Sequence, residues 1–186
     1  MLSSPALVKP GHFETELHFY PRVLNAHIHP LIRNLMDMGN DRIASRYCHL
    51  HPEVSPQAVR DLLVTVPRYF RWGGCDLFHV TSEEGLRQVV VIETNSCPSG
   101  QKSMPRVNES LEKAGYDRLL RDSFLEQVSR RKGAPKGDLA VIYDKNHMEN
   151  SGYAAALADL TGEPVWLIPF HLGDVVSTIL EDTSHT

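Results

Sequence analysis

Residues 138–170, DLAVIYDKNHMENSGYAAALADLTGEPVWLIPF, decide the fold class. Aliphatic runs predict strands over residues 138–143 and 164–170, and the alanine-rich stretch between them predicts a helix over residues 151–160. Gly162 stands where that helix should end. Two strands joined by a helix within about 30 residues imply a parallel pair with a right-handed crossover. The chain is therefore expected to be an α/β protein.

The residues before this unit predict helices and then strands. Apolar side chains recur every three or four positions from Tyr20 to Met38, which indicates one amphipathic helix that stops at Gly39-Asn40. A second helix is expected to begin at Ser55, with proline at its first position, and to end before Pro67.

A hairpin is the next predicted element. Residues 75–80 and 88–92 read as strands joined by the polar stretch 81–85, and the second strand is apolar on both faces, which is typical of a central strand. A helix is predicted over residues 107–131, with Gly115 as a point of interruption. The fold class is thus N-terminal helices, a mixed sheet with a hairpin, and then a β-α-β unit.

The segment KGAPKG, residues 132–137, is the clearest linker. It divides the chain into residues 1–131, a helical and mixed-sheet portion, and residues 138–186, a partial β-α-β domain. The residues after the second strand of that domain are too few for the further β-α repeats of a doubly wound sheet. Either the unit docks on the earlier sheet, or the sequence is a truncated part of a larger protein.

The composition of the chain limits the classes of partner that it is expected to bind. The net charge of −4 gives no reason to expect binding to nucleic acid or to a membrane, and the amino-terminal residues do not have the order of a secretory signal. The 3 cysteines are far apart, so reduced thiols are expected. We expect a cytoplasmic protein whose partners are small molecules or proteins, and a homodimer is compatible with the sequence.

Three patterns that suggest chemistry are weak. The stretch GQKS at residues 100–103 does not have the glycine spacing of a phosphate-binding loop. The pairs His27-x-His29 and Cys48-His49-Leu50-His51 could hold a metal, but the first pair falls on a predicted helix, where residues two apart point in different directions. Cys97 could be a nucleophile, although only Lys102 is close enough in sequence to activate it.

Glu93 and Asn95 form a stronger pattern. Alternate residues of a strand lie on the same face, so the carboxylate and the amide should project together at the end of an apolar strand. Oxygen ligands of this kind suit Mg²⁺, which takes one or two protein carboxylates and completes its shell with phosphate and water. The alternative is that both residues only order the turn that follows.

The stretch IETNSCPSG, residues 92–100, resembles the Glu-x-Asn motif, followed by serines, of the eukaryotic-type glutathione synthetases and their relatives in the ATP-grasp superfamily. Upstream, RWGGCDLF at residues 71–78 is similar to the Arg-Ser-Asp-Tyr segment of that family. Downstream, residues 138–170 resemble the Rossmann-like unit that opens its substrate domain. The resemblance spans residues 68–172.

This resemblance implies an ATP-dependent ligase that phosphorylates a carboxylate and then joins it to an amine. It implies that Glu93 and Asn95 bind Mg²⁺ and ATP, and that Ser96 and Ser99 contact an amino-acid or peptide substrate. Arg71, and less directly Arg68, would pair with a substrate carboxylate, and Asp144 would lie near the substrate. No catalytic residue is assigned.

Departures from the family pattern leave alternatives open. Cys97-Pro98 changes the spacing of the serines, so glutathione is not implied as the product, and no grasp domain with its lysines and glycine-rich lid is recognisable. The chain alone is therefore expected to be inactive. A non-catalytic binding or regulatory protein of the same fold, and a small metal- or thiol-dependent enzyme, are the other readings.

Overall fold

The computed structural model describes residues 4–24, 27–95, 110–130, 133 and 137–170. The chain forms two compact units, of which unit 1 comprises Met1–Asn25 and Arg131–Thr186, and unit 2 comprises Ala26–Arg130. The division at residue 131 falls beside the predicted linker, and the first 25 residues belong to the same unit as the residues after it. The elements are β1 (Ala6–Val8), α1 (Thr15–His18), α2 (Pro21–Leu24), α3 (Pro30–Met36), α4 (Gly39–Leu50), α5 (Pro56–Val64), β2 (Gly74–Thr81), β3 (Arg87–Asn95), α6 (Ala114–Leu119), a π-helical segment (Leu120–Leu125), α7 (Glu126–Arg130), β4 (Leu139–Tyr143), α8 (His147–Thr161) and β5 (Val165–Pro169).

Unit 1 is built on a three-stranded sheet in the order β1-β5-β4. Strands β4 and β5 are parallel and are joined by α8, which confirms the β-α-β prediction. Gly162 ends α8 in the left-handed conformation, with φ of 73°, where a side chain would be strained. Strand β1 pairs antiparallel with β5 and was not predicted, since its three residues carry almost no pattern. The mixed α/β class is confirmed.

Helix α8 forms most of the core of unit 1. It contacts β4 and β5 as well as α1, so residues 151–158 are buried without a polar face. A helix surrounded in this way must carry small side chains where other elements approach closely, and four of these positions are alanine, namely Ala154, Ala155, Ala156 and Ala158.

A buried polar contact joins α1 to α8. His18 is only 5% exposed, and its Nδ1 lies 2.8 Å from the Ser151 hydroxyl oxygen. Because that hydroxyl donates its hydrogen to the Met148 carbonyl oxygen at 2.7 Å, His18 Nδ1 must be the donor to Ser151. This arrangement therefore places a hydrogen on Nδ1 of the imidazole.

The prediction of one helix from Tyr20 to Met38 is wrong, and the division between the two units falls within this stretch. Helices α2 and α3 are separate, and residues 27–29 between them are not helical. Pro30 explains the break, because proline disfavours the helical conformation of the residue before it. His29 instead caps α3, with its Nδ1 accepting from the Leu31 backbone N–H at 3.2 Å.

Two further helices follow Asp37. Gly39, expected to stop a helix, has φ of 71° and marks the change of direction between α3 and α4. The sequence did not predict α4. Helix α5 begins at Pro56 after Ser55, as predicted, but the Ser55 side chain makes no capping hydrogen bond.

The predicted hairpin is confirmed as the antiparallel pair β2 and β3. Its turn is held by two hydrogen bonds between the Ser82 and Leu86 residues, at 2.8 and 3.2 Å, and by Gly85 with φ of 81°. The prediction that β3 is a central strand is wrong for the described part of the chain, where its only strand partner is β2. Val91 and Ile92 are accordingly 57% and 48% exposed.

The helix predicted over residues 107–131 is present from Ala114 to Arg130, and residues 107–109 lie outside the described residues. Gly115 does not interrupt it, since it is buried in the first turn of α6. The irregularity is instead the π-helical segment Leu120–Leu125. Among the described residues, no helix is both long enough and apolar enough to cross a membrane.

Acid should weaken unit 1 through His18. Burial lowers the pKa of His18 below 6.5, and this outweighs the opposite effects of the His12 and Met148 carbonyl groups and of Glu14. The unfolded chain binds a proton near pH 6.5, whereas the folded chain does so only at lower pH. The contribution of His18 to the free energy of unfolding is therefore complete above that pH and is lost as the pH falls below it.

The measurement is urea denaturation of the wild type and His18→Gln between pH 7.5 and 5, with His49→Gln as the control at an exposed histidine. The wild type and the control should lose more stability on acidification than His18→Gln. Parallel losses in all three proteins would contradict the assignment.

Candidate functional site

The open end of the β2–β3 hairpin brings oxygen-bearing side chains together. From Thr81↔Arg87 to Leu77↔Val91 the strands pair regularly, but the next pair is Asp76↔Glu93, which leaves Ile92 as an extra residue in a β-bulge. Beyond the bulge Asp76 lies directly opposite Glu93. Directly opposed residues have their Cβ atoms about 4.5–5.5 Å apart and share one face of the sheet. The hairpin therefore places two carboxylates side by side.

Asn95 lies on the same face, two residues beyond Glu93. Its partner across the hairpin is Gly74, so no side chain occupies the position beside the amide. The adjacent Gly73 is closely packed: a Cβ there would lie 3.2 Å from the Asn95 carbonyl oxygen and 3.3 Å from the Phe70 ring. Asp76 and Glu93 are exposed, while Asn95 is half-buried.

The donor set fits a small, hard cation. Two carboxylates and one amide oxygen are the ligand types that Mg²⁺ takes from proteins, with water and phosphate oxygens as the remaining ligands. Among the described residues no cluster of three or more His, Cys, Asp and Glu side chains could hold a metal ion. A site on this hairpin would thus rely on two carboxylates, on the Asn95 amide oxygen, and on water and phosphate oxygens.

Asp76 is the site residue that the sequence interpretation missed. Counting back from the turn in regular register places Asp76 opposite Ile92, and Glu93 opposite Cys75 on the other face. Only the bulge moves Glu93 and Asn95 to the face of Asp76. The available signal was the position of Asp76 near the start of a strand that pairs with the Glu-x-Asn strand.

Arg71 is placed just before β2, and its guanidinium group is engaged with the protein. Its Nη1 donates to the carbonyl oxygens of Pro67 and Phe70 at 2.8 and 2.9 Å. Its Nη2 donates to the Arg68 carbonyl oxygen at 2.8 Å and to Gln127 Oε1 at 3.3 Å. The side chain therefore closes the loop that leads into β2 and ties it to α7. Bidentate pairing with a substrate carboxylate would require these bonds to be released.

Arg68 presents a different arrangement in the same loop. Its guanidinium carbon lies 5.1 Å from the centre of the Tyr69 ring, and Tyr69 is 82% exposed. A cation on an exposed aromatic ring gains little stability but keeps its donors accessible. Of the two arginines, Arg68 is the freer to bind an anion.

Asp144 belongs to unit 1, where it follows β4 and is exposed. The turn it begins contains Asn146 in the left-handed conformation, with φ of 58°. Asn150 Nδ2 fixes this turn by donating to the Lys145 and Asn146 carbonyl oxygens at 2.9 and 3.0 Å. Asp144 thus lies on a well-defined turn at the carboxyl end of a parallel strand. That is where α/β proteins commonly bind ligands.

The remaining candidates divide into two groups. Ser96, Ser99, Cys97 and the GQKS stretch lie outside the described residues. His27 and His29 lie in an extended segment, so the helical argument against them was wrong, but His29 Nδ1 is used as a cap and its ring lies 5.0 Å from that of His79. His51 stacks on Tyr47 at 4.5 Å and faces Glu53.

Comparison of the chain with known protein families, curated proteins and solved structures gives no match. The interpretation of the hairpin therefore depends on its own residues and geometry.

Replacing Arg71 tests its structural role. Arg71→Lys keeps the charge but cannot reproduce the planar fork that reaches three carbonyl groups, so we expect a loss of about 1–2 kcal/mol in the free energy of unfolding. Arg68→Lys, in the same loop, should change stability by less than about 0.5 kcal/mol. Urea denaturation of both variants checks this. Equal stability of Arg71→Lys and the wild type would show that the loop does not depend on the fork.

Proposed function

We propose that the chain contributes a Mg²⁺–nucleotide phosphate site to an ATP-dependent carboxylate–amine ligase of the ATP-grasp type. The observation that carries the proposal is the register of the hairpin, which pairs Asp76 with Glu93 and leaves an open position beside Asn95. The resemblance of residues 92–100 to the Glu-x-Asn motif supports the same assignment.

The roles follow from the donor types. Asp76 and Glu93 would hold Mg²⁺, and Asn95 would supply an amide oxygen to the ion or an N–H group to a phosphate oxygen. When bound, Mg²⁺ would neutralise phosphate charge while the terminal phosphoryl group is transferred to the substrate carboxylate. The fixed pairing of the two strands would hold the carboxylates in place before the nucleotide arrives, which lowers the entropic cost of binding.

The arginine loop would serve the site indirectly. Because Arg71 closes the loop before β2, it would position Gly73 and Gly74 against Asn95. Arg68 would be available to a substrate carboxylate or a phosphate group. Ser96, Ser99 and Asp144 remain proposed contacts to an amino-acid or peptide substrate.

Titration with Mg-ATP tests the proposal. A ligand present at 100 times its dissociation constant raises the free energy of unfolding by about 2.7 kcal/mol. We expect such a rise for the wild type and its loss in Asp76→Asn and in Glu93→Gln, since each variant removes one of two carboxylates. Thermal unfolding, followed with and without Mg-ATP, gives the measurement.

The matched control is Glu83→Gln, which removes an exposed carboxylate at the turn end of the same hairpin. It should respond to Mg-ATP as the wild type does. A wild type that gains no stability from Mg-ATP would refute the nucleotide assignment, and a gain that survives in Asp76→Asn would remove Asp76 from the site.

A further inference from the structure

Helices α4 and α5 of unit 2 leave an apolar groove between them. The cavity in this groove has a volume of about 390 Å³. Its walls expose large side chains, since Leu62 is 72% and Tyr47 is 45% exposed. An exposed apolar groove of this kind is typical of a site that binds a protein or a ligand. The α4–α5 groove is lined by Ile43, Tyr47, Val54, Val59, Leu62 and Leu63.

A row of basic side chains borders this groove on α4. Arg42, Arg46 and His49 line a second cavity of about 380 Å³, together with Ser45 and the buried Met38. Within the part of the chain that the structure describes, neither Arg42 nor Arg46 has an ion-pair or hydrogen-bond partner for its side chain. The row therefore carries positive charge that no described residue neutralises.

The groove and the row are neighbouring strips of one helix surface. Residues three and four apart lie on one side of a helix, so Arg42 and Arg46 form one strip, and Ile43 and Tyr47 form the next strip, rotated by about 100°. Arg46 is three residues after Ile43 and directly precedes Tyr47. A molecule bound in the groove would thus lie beside Arg42 and Arg46 on its α4 side.

The other charged groups around the groove are already engaged. Asp41 pairs with Arg60 at 2.9 Å, which links α4 to α5. Asp61 on α5 accepts from Gln57 Nε2 at 2.8 Å. Because the Gln57 amide is neutral, Asp61 keeps its negative charge on the α5 side. The positive charge without a described partner lies along the α4 edge, although the chain as a whole has a net charge of −4.

We propose that the α4–α5 groove binds an acidic amphipathic helix of another protein. Apolar side chains of that helix, spaced three and four residues apart, would fill the groove, and its acidic side chains would pair with Arg42 and Arg46. Helix α4 has 12 residues, so it offers contact to about 18 Å, or three turns, of a bound helix. A concave apolar strip with charge along one edge fits a helix better than a flat lipid surface.

The test uses two synthetic helical peptides and the full chain. Both peptides carry leucines at helical spacing, and the residues flanking that face are glutamate in one and lysine in the other. Fluorescence anisotropy should show at least about tenfold tighter binding of the glutamate peptide. The preference should shrink as salt rises from about 0.05 M to about 0.5 M, because the arginines are exposed and screened.

Two variants locate the contact. Arg42→Gln/Arg46→Gln should weaken the glutamate peptide about tenfold and leave the lysine peptide unchanged or tighter. Leu62→Ser should weaken both peptides. Because Leu62 is exposed, the variant should remain folded, which a denaturation curve checks. Arg22→Gln/Arg87→Gln, with the same change of charge at exposed positions elsewhere, should bind as the wild type does.

Three results would overturn the proposal. The first is equal binding of the two peptides by the wild type. The second is stronger binding to anionic phosphatidylglycerol vesicles that Arg42→Gln/Arg46→Gln abolishes, which would assign the surface to a membrane. The third is a dimer in sedimentation equilibrium that Leu62→Ser dissociates, which would assign the groove to a second copy of the chain.

Discussion

The bulge at Ile92 is the constraint on which the hairpin depends. A one-residue shift in register moves every later side chain to the opposite face of a sheet. Here the shift falls between Asp76 and Leu77 on β2 and at Ile92 on β3. Side-chain alternation along β3 is therefore reversed beyond Ile92 relative to β2. Glu93 shares its face with Asp76 and Val90 instead of with Val91. The pairing of two carboxylates, which backbone alternation alone would separate, follows from this single extra residue.

Unit 1 depends on a different kind of constraint, the burial of residues 151–158 of α8. Because α8 is covered on several sides, its polar groups must find partners inside the unit, and the chain of contacts from His18 through Ser151 to the Met148 carbonyl group supplies them. The N-terminal residues take part in this arrangement twice. Strand β1 pairs with β5, and the Gly11 N–H donates to Asp159 at 2.6 Å. Residues at both ends of the described chain thus complete one core.

The local features could be predicted from the sequence, and the long-range ones could not. The β-α-β unit, the hairpin and the start of α5 follow from apolar periodicity, proline and glycine within short windows. Pro30 was also a local signal for a helix break, but the apolar spacing around it favoured the wrong prediction of one continuous helix. Strand β1 pairs with residues about 160 positions away, which no local pattern reveals. Arg71 was expected to bind a ligand, since an arginine side chain suits a carboxylate. The sequence could not reveal that its guanidinium group donates to backbone carbonyl groups of its own loop.

The two surfaces of unit 2 differ in the sign of their charge, and this bears on how a chain of net negative charge could bind anionic groups. At the hairpin, Asp76 and Glu93 would repel a phosphate group, so an anion could bind there only with a cation between them. At α4, Arg42 and Arg46 offer positive charge directly, so an acidic side chain needs no metal. Chelation should therefore remove binding at the hairpin and leave the groove untouched, whereas salt should affect the groove more. The two sites can be separated in one protein by these two treatments alone.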